Sequence, residues 1–504
     1  MGIIQKQTLK GSVYSYLGLL IGFLNIGILS PRIFTAEQIG LTQVMLSIAT
    51  ILSQVGNMGF TDLANRIFPW FRDSQNANRG FLGLGILITG IGTVIVTILL
   101  IINIEKVINT NSSGDSLLTG YSGLLPVLLI LIIWFTFFDN YVKMLYNAVL
   151  GTFLRDLLIR GINLTLIALF FFKRVDFDTY ILLYVLNQGV LPIVILIIYL
   201  YRRGELVPGR FWEWIDRKMA RELISLGFNG LIVGFSWIAV TNIDKYMINY
   251  YIGLDQAGIY SVSFYFATII MIPGRSLGKI AVPLIADAWK RNDLKTVSDI
   301  YTRSCINQIV IGTLLVAGII GNIGNIYRIL PGEYGGGAWI IILISLANFA
   351  SNASGASLYV IAASGFYRYQ TWLMLFLIVM VVVLNMILIP LIGIEGAALA
   401  SLAALLANSI LKVCVIYYKT GIWPYRLKDL VTVASGAILI LLSLLLPRLP
   451  LIPDIMVRSA IIALPFLFII YILDLSAEAK GIIGNFLKRI PWFGNSGRRR
   501  SDNF

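Results

Sequence analysis

Five ionisable side chains lie inside long apolar stretches of the sequence, where a charge is costly to place. They are Asp139, Lys143, Arg275, Lys279 and Lys412. Four of the five are basic, so the set predicts a cationic cavity within a membrane. Such a cavity suits a diphosphate, which guanidinium groups bind through paired donors. Arg275 also follows Pro273-Gly274, a predicted helix break that would bend the chain around the cavity.

Further charged residues lie at the borders of these stretches and complete the candidate substrate-cavity and gating set. They are Arg32, Asp62, Arg66, Asp244 and Lys245. Each candidate has a simpler alternative. Asp139 and Lys143 are four residues apart on one helix face and would neutralise each other. Basic residues near a span end, or Lys412, would reach lipid phosphates, and Asp244-Lys245 would be a solvated loop pair.

Several aromatic residues fall in the same stretches and are candidates for stacking on sugars. They are Trp134, Tyr141, Tyr146, Trp237, Tyr260 and Tyr265. The alternative for each is a place in the interfacial aromatic belt or in helix packing, which is where most aromatic residues of membrane proteins lie.

The composition places these residues in an integral membrane protein. Of 504 residues, 58% are apolar and 13% are charged, against about 25% charged in soluble proteins. The sequence has no histidine, which excludes histidine-based catalysis and histidine-ligated zinc, and its two cysteines exclude a disulfide scaffold. No phosphate-binding glycine motif follows a strand. We therefore predict no cofactor, no metal, no nucleic acid and no enzymatic activity.

The apolar stretches predict an all-α polytopic fold of about fourteen transmembrane helices. The predicted spans are 12–31, 40–60, 81–103, 122–145, 158–173, 179–201, 223–245, 256–282, 304–326, 338–362, 371–391, 396–417, 431–447 and 457–474. Most of the 39 Lys and Arg residues fall in alternate connections on the side of the N-terminus. This asymmetry predicts that both termini are cytoplasmic.

An internal repeat predicts how the helices are organised. The segment from Ala36 to Ile51 resembles that from Leu254 to Ile269 at a constant offset of 218, with Gly40 matching Gly258. Helices 1–6 and 7–12 would then be two parallel six-helix lobes. The predicted domains are an N-terminal lobe (1–203), a cytoplasmic linker (204–222), a C-terminal lobe (223–420), two extra helices (421–474) and a basic cytoplasmic tail (475–504).

Three segments resemble the multidrug/oligosaccharidyl-lipid/polysaccharide (MOP) flippase superfamily, and its polysaccharide-transporter branch in particular. One is Ser30-Pro31-Arg32-Ile33-Phe34 followed by Glu37-Gln38-Ile39-Gly40. Another is Asp244-Lys245 followed by Ala257-Gly258-Ile259-Tyr260-Ser261. The third is the run from Gly393 to Ser401 after Pro390, whose small residues also predict close helix packing.

The resemblance implies a flippase that works by alternating access in the bacterial inner membrane. It would move undecaprenyl-diphosphate-linked oligosaccharide units to the outer leaflet for O-antigen of lipopolysaccharide, capsule or exopolysaccharide. Its partners would be that lipid-linked oligosaccharide and the bilayer, with polysaccharide polymerases and glycosyltransferases as protein partners.

The sequence leaves three alternatives. A purely structural membrane component is one of them, but it would not need charges embedded in its spans. A cation-coupled drug antiporter of the same superfamily would need an acidic cavity, against the basic excess observed here. A membrane glycosyltransferase or polysaccharide polymerase would carry a long charged outer loop. The longest predicted outer loop, 104–121, holds only Glu105, Lys106 and Asp115 as charged residues.

Overall fold

Every regular element in the described part of the chain is a helix. The computed structural model describes residues 3–73, 77–108, 117–476, 478 and 480–481, and the side chains of 3–9, 12, 62, 77, 229, 275, 276, 279 and 280 lie outside that description. The main helices are α1 (3–33), α2 (Ala36–Gly56), α3 (Phe81–Ile102), α4 (Leu124–Met144), α5 (148–171), α6 (Phe177–Arg202), α7 (Arg217–Tyr251), α8 (254–290), α9 (Leu294–Gly321), α10 (Ala338–Ala353), α11 (Arg368–Ile392), α12 (Ile394–Thr420), α13 (Leu427–Leu444) and α14 (Leu451–Leu473). Shorter helical segments are Phe60–Phe71, Ile104–Ile108, Leu117–Gly120, Phe211–Glu213, Ile323–Ile329, Gly332–Gly337 and Ser357–Ala363.

Thirteen helices in the described residues are long and apolar enough to cross a membrane. The remaining main helix, α5, is also long, but Arg155, Asp156 and Arg160 interrupt its apolar run. The predicted all-α polytopic fold of about fourteen helices is thereby confirmed.

Several helices extend beyond their predicted bounds, and in two of them the difference changes where candidate residues lie. The predicted fifth span began at 158, whereas α5 begins at residue 148, so the prediction placed Arg155 in a loop. Likewise α7 continues to Tyr251, which puts Asp244-Lys245 inside a helix and not in a loop at its end. Charged residues in the helix interior caused both errors, because apolar run length was the signal for the span.

The helical chain is divided into two compact units, each described here by itself. The first comprises Met1–Tyr265, Glu333–Gly337 and Met374–Ala400, and the second comprises Phe266–Gly332, Ala338–Leu373 and Ser401–Phe504, with the undescribed residues left aside. The first unit has an aromatic core that includes Phe60, Phe81 and Phe137. The predicted domain boundaries at 203, 222, 420 and 474 stay predictions.

The repeat-related glycines contact each other's helices within the first unit. A Cβ atom on Gly40 would lie 1.9 Å from the carbonyl oxygen of Leu254, and one on Gly258 would lie 1.9 Å from that of Ala36. The two contacts are reciprocal, as expected for equivalent positions related by a two-fold axis.

Thr35 forms a capping box with Gln38 at the start of α2, with bonds of 3.2 and 3.3 Å.

The predicted break near Pro273-Gly274 takes the form of a tightened turn in α8. Residues Thr268–Met271 are 3₁₀-helical, and the chain stays helical on both sides. Two side-chain amides of α10 donate to carbonyls at this turn, Asn348 to Ala267 at 3.0 Å and Asn352 to Ile270 at 2.5 Å. The polar backbone exposed by the turn is thus satisfied inside the protein.

Helices α13 and α14, predicted as two extra helices, share a buried ionic cluster with the rest of the second unit. Arg458, at the start of the predicted last span, lies within α14 and is buried. It pairs with Asp454 at 2.7 Å, and Asp454 also accepts a 2.7 Å hydrogen bond from Asn325. A paired and hydrogen-bonded charge is the form in which burial is tolerated.

Candidate functional site

A cavity of about 460 Å³ lies within the first unit and is lined mostly by α1, α2, α4, α5 and α6. This volume is in the range of about 300–1,000 Å³ that small-molecule pockets occupy. Apart from Phe34 and the residues of α5, the cavity lining belongs to helices that are long and apolar enough to cross a membrane.

The charged groups of the cavity lining are the guanidinium groups of Arg155 and Arg160, and none of the described lining residues is acidic. Arg160 donates from Nη1 to the carbonyl oxygen of Gly18 at 2.6 Å. Within the described residues no carboxylate lies within 4 Å of its guanidinium. Among the described residues, the partner of the Arg160 guanidinium is therefore a neutral backbone oxygen.

A π-helical stretch in α5 places the two arginines on the same side. They are five residues apart, which in a regular α-helix separates side chains by about 140°. Residues Phe153–Leu158 are π-helical, and a π-helix pairs residues i and i+5. The wider turn thus lets both guanidinium groups line one cavity.

A second π-helical stretch faces the first from α1. It covers Phe23–Leu29, and Asn25 within it donates to the backbone carbonyl of Arg160 at 2.9 Å. Asn25 and Ser30, again five residues apart, both line the cavity. Single π turns are often found at functional sites, and here both of them contribute polar lining.

The rest of the polar lining consists of uncharged hydrogen-bonding groups. Amides come from Asn25, Gln38, Gln43, Gln54, Asn163 and Gln188; hydroxyls come from Ser30, Thr42, Thr50, Ser53, Thr136, Tyr180, Tyr184 and Tyr265. Of the six predicted sugar-stacking aromatics only Tyr265 is in the described lining, and Tyr141 and Tyr260 are fully buried. Amides and hydroxyls beside aromatic rings can bind the hydroxyl groups of sugars.

Asp139 and Lys143 lie behind the cavity and not in its lining. The Asp139 side chain is 1% exposed, and Lys143 donates to its Oδ2 atom at 2.7 Å. Arg155 donates to the same oxygen at 2.7 Å from its Nη2 atom. The predicted mutual neutralisation of Asp139 and Lys143 is therefore seen, with a third member that the sequence analysis did not include.

Asp244 and Lys245 point to different partners in the first unit. Asp244 is buried and accepts hydrogen bonds of 2.7 Å from Tyr260 and from Asn385. Lys245 donates to the side-chain oxygen of Gln43, a cavity residue, at 3.2 Å. Lys245 thus contacts the cavity lining, and the predicted gating role of the pair stays a prediction.

Lys412 lies in the second unit and is 6% exposed. Its ammonium group donates to the hydroxyl of Ser354 at 3.3 Å. No carboxylate of the described residues lies within 4 Å of it. A buried lysine with one neutral partner does not reach lipid phosphates, so that alternative does not apply to it.

The other predicted site residues do not line the described cavity. Arg32 and Arg66 are exposed, at the end of α1 and on the short helix Phe60–Phe71. The side chains of Asp62, Arg275 and Lys279 lie outside the described part of the structure. Their roles therefore stay predictions.

Sequence analysis missed Arg155 and Arg160 because it counted both among the cytoplasmic connections. The available signal was the absence of proline between Ala148 and Phe171, which lets a helix continue through both arginines. Small residues in the run of α12 had been assigned to packing, and Ala397, Ala398 and Ala400 are fully buried as that role requires.

Comparison with known proteins assigns the chain to a family. The model of the polysaccharide biosynthesis protein family matches residues 6–289, more than half of the chain. No curated protein matches the sequence.

Several solved structures share the fold at low sequence identity. The lipid II flippase MurJ, in an inward closed conformation, gives a TM-score of 0.70 at 13% identity over 94% of this chain and 99% of MurJ. An inward-facing multidrug resistance MATE family transporter gives 0.63 at 12% identity over 80% and 94%. A MOP superfamily transporter from Pyrococcus furiosus, described as having a binding pocket of reversed polarity, gives 0.60 at 14% identity over 83% and 96%.

These structures are described as those of transporters and a flippase, in agreement with the expectation of no enzymatic activity. The resemblance to the MOP superfamily that the sequence motifs suggested is confirmed. The chain belongs to the polysaccharide biosynthesis protein family, and its fold is that of the MOP superfamily of membrane transporters.

Proposed function

We propose that the protein moves a polyprenyl-diphosphate-linked oligosaccharide across the bacterial inner membrane by alternating access. The observation that carries this proposal is the cavity lining, which holds two guanidinium groups and no carboxylate among the described residues. A guanidinium presents paired donors to phosphate oxygens, and its interaction is strengthened where water is excluded. The fold shared with a lipid II flippase supports a lipid-linked substrate.

The uncharged part of the lining supports the sugar portion of the substrate. Amides such as Gln43 and Gln188 donate and accept hydrogen bonds, as sugar hydroxyls do. The cavity would take the diphosphate and the sugars next to it, while the polyprenyl chain stays among lipid tails. O-antigen, capsule and exopolysaccharide units all present this chemistry, and an undecaprenyl carrier is the expected lipid.

The charge of the cavity favours this function over the drug antiporter. A cationic drug would meet Arg155 and Arg160 with no opposing carboxylate in the described lining. We therefore expect reconstituted protein to leave the distribution of ethidium unchanged under sodium or proton gradients. Gradient-driven ethidium transport that is abolished by Asp244→Asn would favour the antiporter instead.

The test of the proposal is flipping in proteoliposomes. A fluorescent undecaprenyl-diphosphate-linked disaccharide is introduced on one side, and dithionite reports the fraction that reaches the other side. A charged hydrogen bond contributes about 1.5–3 kcal/mol, so Arg155→Gln or Arg160→Gln should slow flipping about tenfold or more.

The matched control is Arg174→Gln, which removes an exposed arginine outside the cavity. It should flip at the wild-type rate. A wild-type protein that does not accelerate flipping above empty liposomes contradicts the proposal. So does full activity of both cavity variants.

A further inference from the structure

We propose that Asp139 is a positioning residue, whose buried carboxylate holds Arg155 at the cavity and is kept neutralised by Lys143 when Arg155 turns to a bound anion. This inference rests on the proposed function and deepens it. It concerns a group that touches no substrate and acts only through the arginine it holds.

Both cations bind one oxygen of this carboxylate. Arg155 Nη2 and Lys143 Nζ each lie 2.7 Å from Asp139 Oδ2. Asp139 is 1% exposed, whereas the side chains of Arg155 and Lys143 are 50% and 36% exposed. The carboxylate thus lies at the back of the site, and the arginine extends from it to the cavity.

The close approach of α5 to α4 requires a glycine. A Cβ atom on Gly151 would lie 1.6 Å from Asp139 Oδ1. Gly151 and Arg155 are four residues apart and therefore on the same side of α5. The glycine lets the helix come near enough for Arg155 to reach the carboxylate.

The Arg155 side chain is 50% exposed and therefore has room to change partner. Its guanidinium carbon lies 5.4 Å from the centre of the Phe135 ring, and Phe135 also lines the cavity. The neighbouring carboxylate of Asp156 accepts a 2.9 Å hydrogen bond from Ser15. Asp139 is therefore the carboxylate bonded to Arg155 among the described residues.

Sharing one oxygen between two cations explains why Lys143 is present. If Arg155 alone neutralised Asp139, turning to a diphosphate would leave a buried charge without a partner, which is strongly unfavourable. With Lys143 still bound, Asp139 remains paired, and Arg155 is free to bind the anion. The arrangement supplies one positive charge in excess of the carboxylate.

The experiment compares binding of two probes, geranylgeranyl diphosphate and geranylgeranyl monophosphate, to the purified full-length protein in detergent. Asp139→Asn removes a negative charge, so simple electrostatics would make both probes bind more tightly. The positioning role predicts the opposite for the diphosphate, which should bind about tenfold more weakly. The preference for diphosphate over monophosphate should fall with it.

Lys143→Met and the double variant complete the test. Lys143→Met alone should weaken diphosphate binding, because Arg155 then becomes the carboxylate's sole counter-ion. In the Asp139→Asn background the same substitution should have no further effect, because no carboxylate remains to share. Asp287→Asn, which breaks an exposed ion pair with Arg291, is the control and should bind both probes as wild type does.

The outcomes distinguish a failure of the proposed function from a failure of the positioning role of Asp139 alone. A wild-type protein without preference for diphosphate overturns the proposed function and this inference with it. A wild-type preference that Asp139→Asn leaves unchanged or strengthens overturns this inference alone, as do additive effects of the two substitutions. If Asp139→Asn yields no folded protein, unchanged diphosphate affinity of Lys143→Met overturns the inference, and weakened affinity supports it.

Discussion

The two arginines of the cavity differ in what already binds them, and this difference sets their tasks in the proposed transport. Arg160 contacts a carbonyl oxygen and, among the described residues, has no carboxylate within 4 Å. Arg155 shares a carboxylate with Lys143. An incoming diphosphate would meet Arg160 first and then recruit Arg155 from its partner.

Lys412 shows the cost of keeping a charge inside a helix bundle. Its ammonium group is buried, and among the described residues its hydrogen-bond partner is the neutral hydroxyl of Ser354. Replacing it by methionine removes an incompletely paired polar group, so Lys412→Met should raise the free energy of unfolding by about 1–3 kcal/mol. Thermal unfolding in detergent measures the gain, and the flipping assay should show a loss of activity in the same variant.

The control is Lys419→Met on the same helix, where the lysine is exposed. This variant should leave both stability and flipping near wild type. A Lys412→Met protein that is less stable than wild type would show that the lysine is well compensated, against this prediction.

At the scale of helices, apolar length predicted the number of spans and their order, but not their ends. Fourteen stretches correspond to α1–α14 because about 20 apolar residues are needed to cross a bilayer. The cavity arginines escaped prediction because Arg155 fell before the predicted span and Arg160, close to its start, was counted with the cytoplasmic connection, whereas α5 continues through both. Their common side depends on a π turn, which helical periodicity of 3.6 residues does not anticipate.

The sequence predicted a cavity with basic lining residues, but not which basic residues line it. A cationic cavity is present, and Asp139 and Lys143 lie directly behind it. Asp244 proved to be held by Tyr260, 16 residues away, and by Asn385, 141 residues away, and no local pattern could identify the second partner. Long-range partners of this kind follow from the fold and not from spacing.

The reciprocal glycine contact predicts a coupled effect on stability. Gly40→Ala and Gly258→Ala would each place a Cβ atom within 1.9 Å of a backbone carbonyl, so each should cost about 1–3 kcal/mol. The double variant should cost less than the sum, because either substitution alone already separates the two helix ends. Thermal unfolding of the three variants in detergent measures the coupling.

Gly90 in α3 provides the control, since a Cβ atom there would meet nothing within 4 Å. Gly90→Ala should be neutral or slightly stabilising, because alanine is the better helix former. Strictly additive costs for Gly40→Ala and Gly258→Ala would mean that the two glycines do not share one contact.

For the molecule as a whole, the surplus of 14 positive charges is expected on the cytoplasmic side. In a variant lacking Cys305 and Cys414, Trp212→Cys and Arg174→Cys place single thiols on either side of α6. Both positions are exposed. An impermeant maleimide applied to intact spheroplasts should label position 174 and should label position 212 only after permeabilisation. The reverse labelling pattern would show that the protein has the opposite orientation in the membrane.

The turn at Thr268–Met271 is hydrogen-bonded to α10, so that within the second unit the turn and α10 move together. If α8 straightened there, its own N–H groups would take the carbonyls of Ala267 and Ile270 that Asn348 and Asn352 now occupy. Two amides on α10 would be stranded in hydrocarbon without acceptors, which is costly. Any rearrangement of this turn must therefore move α10 together with it.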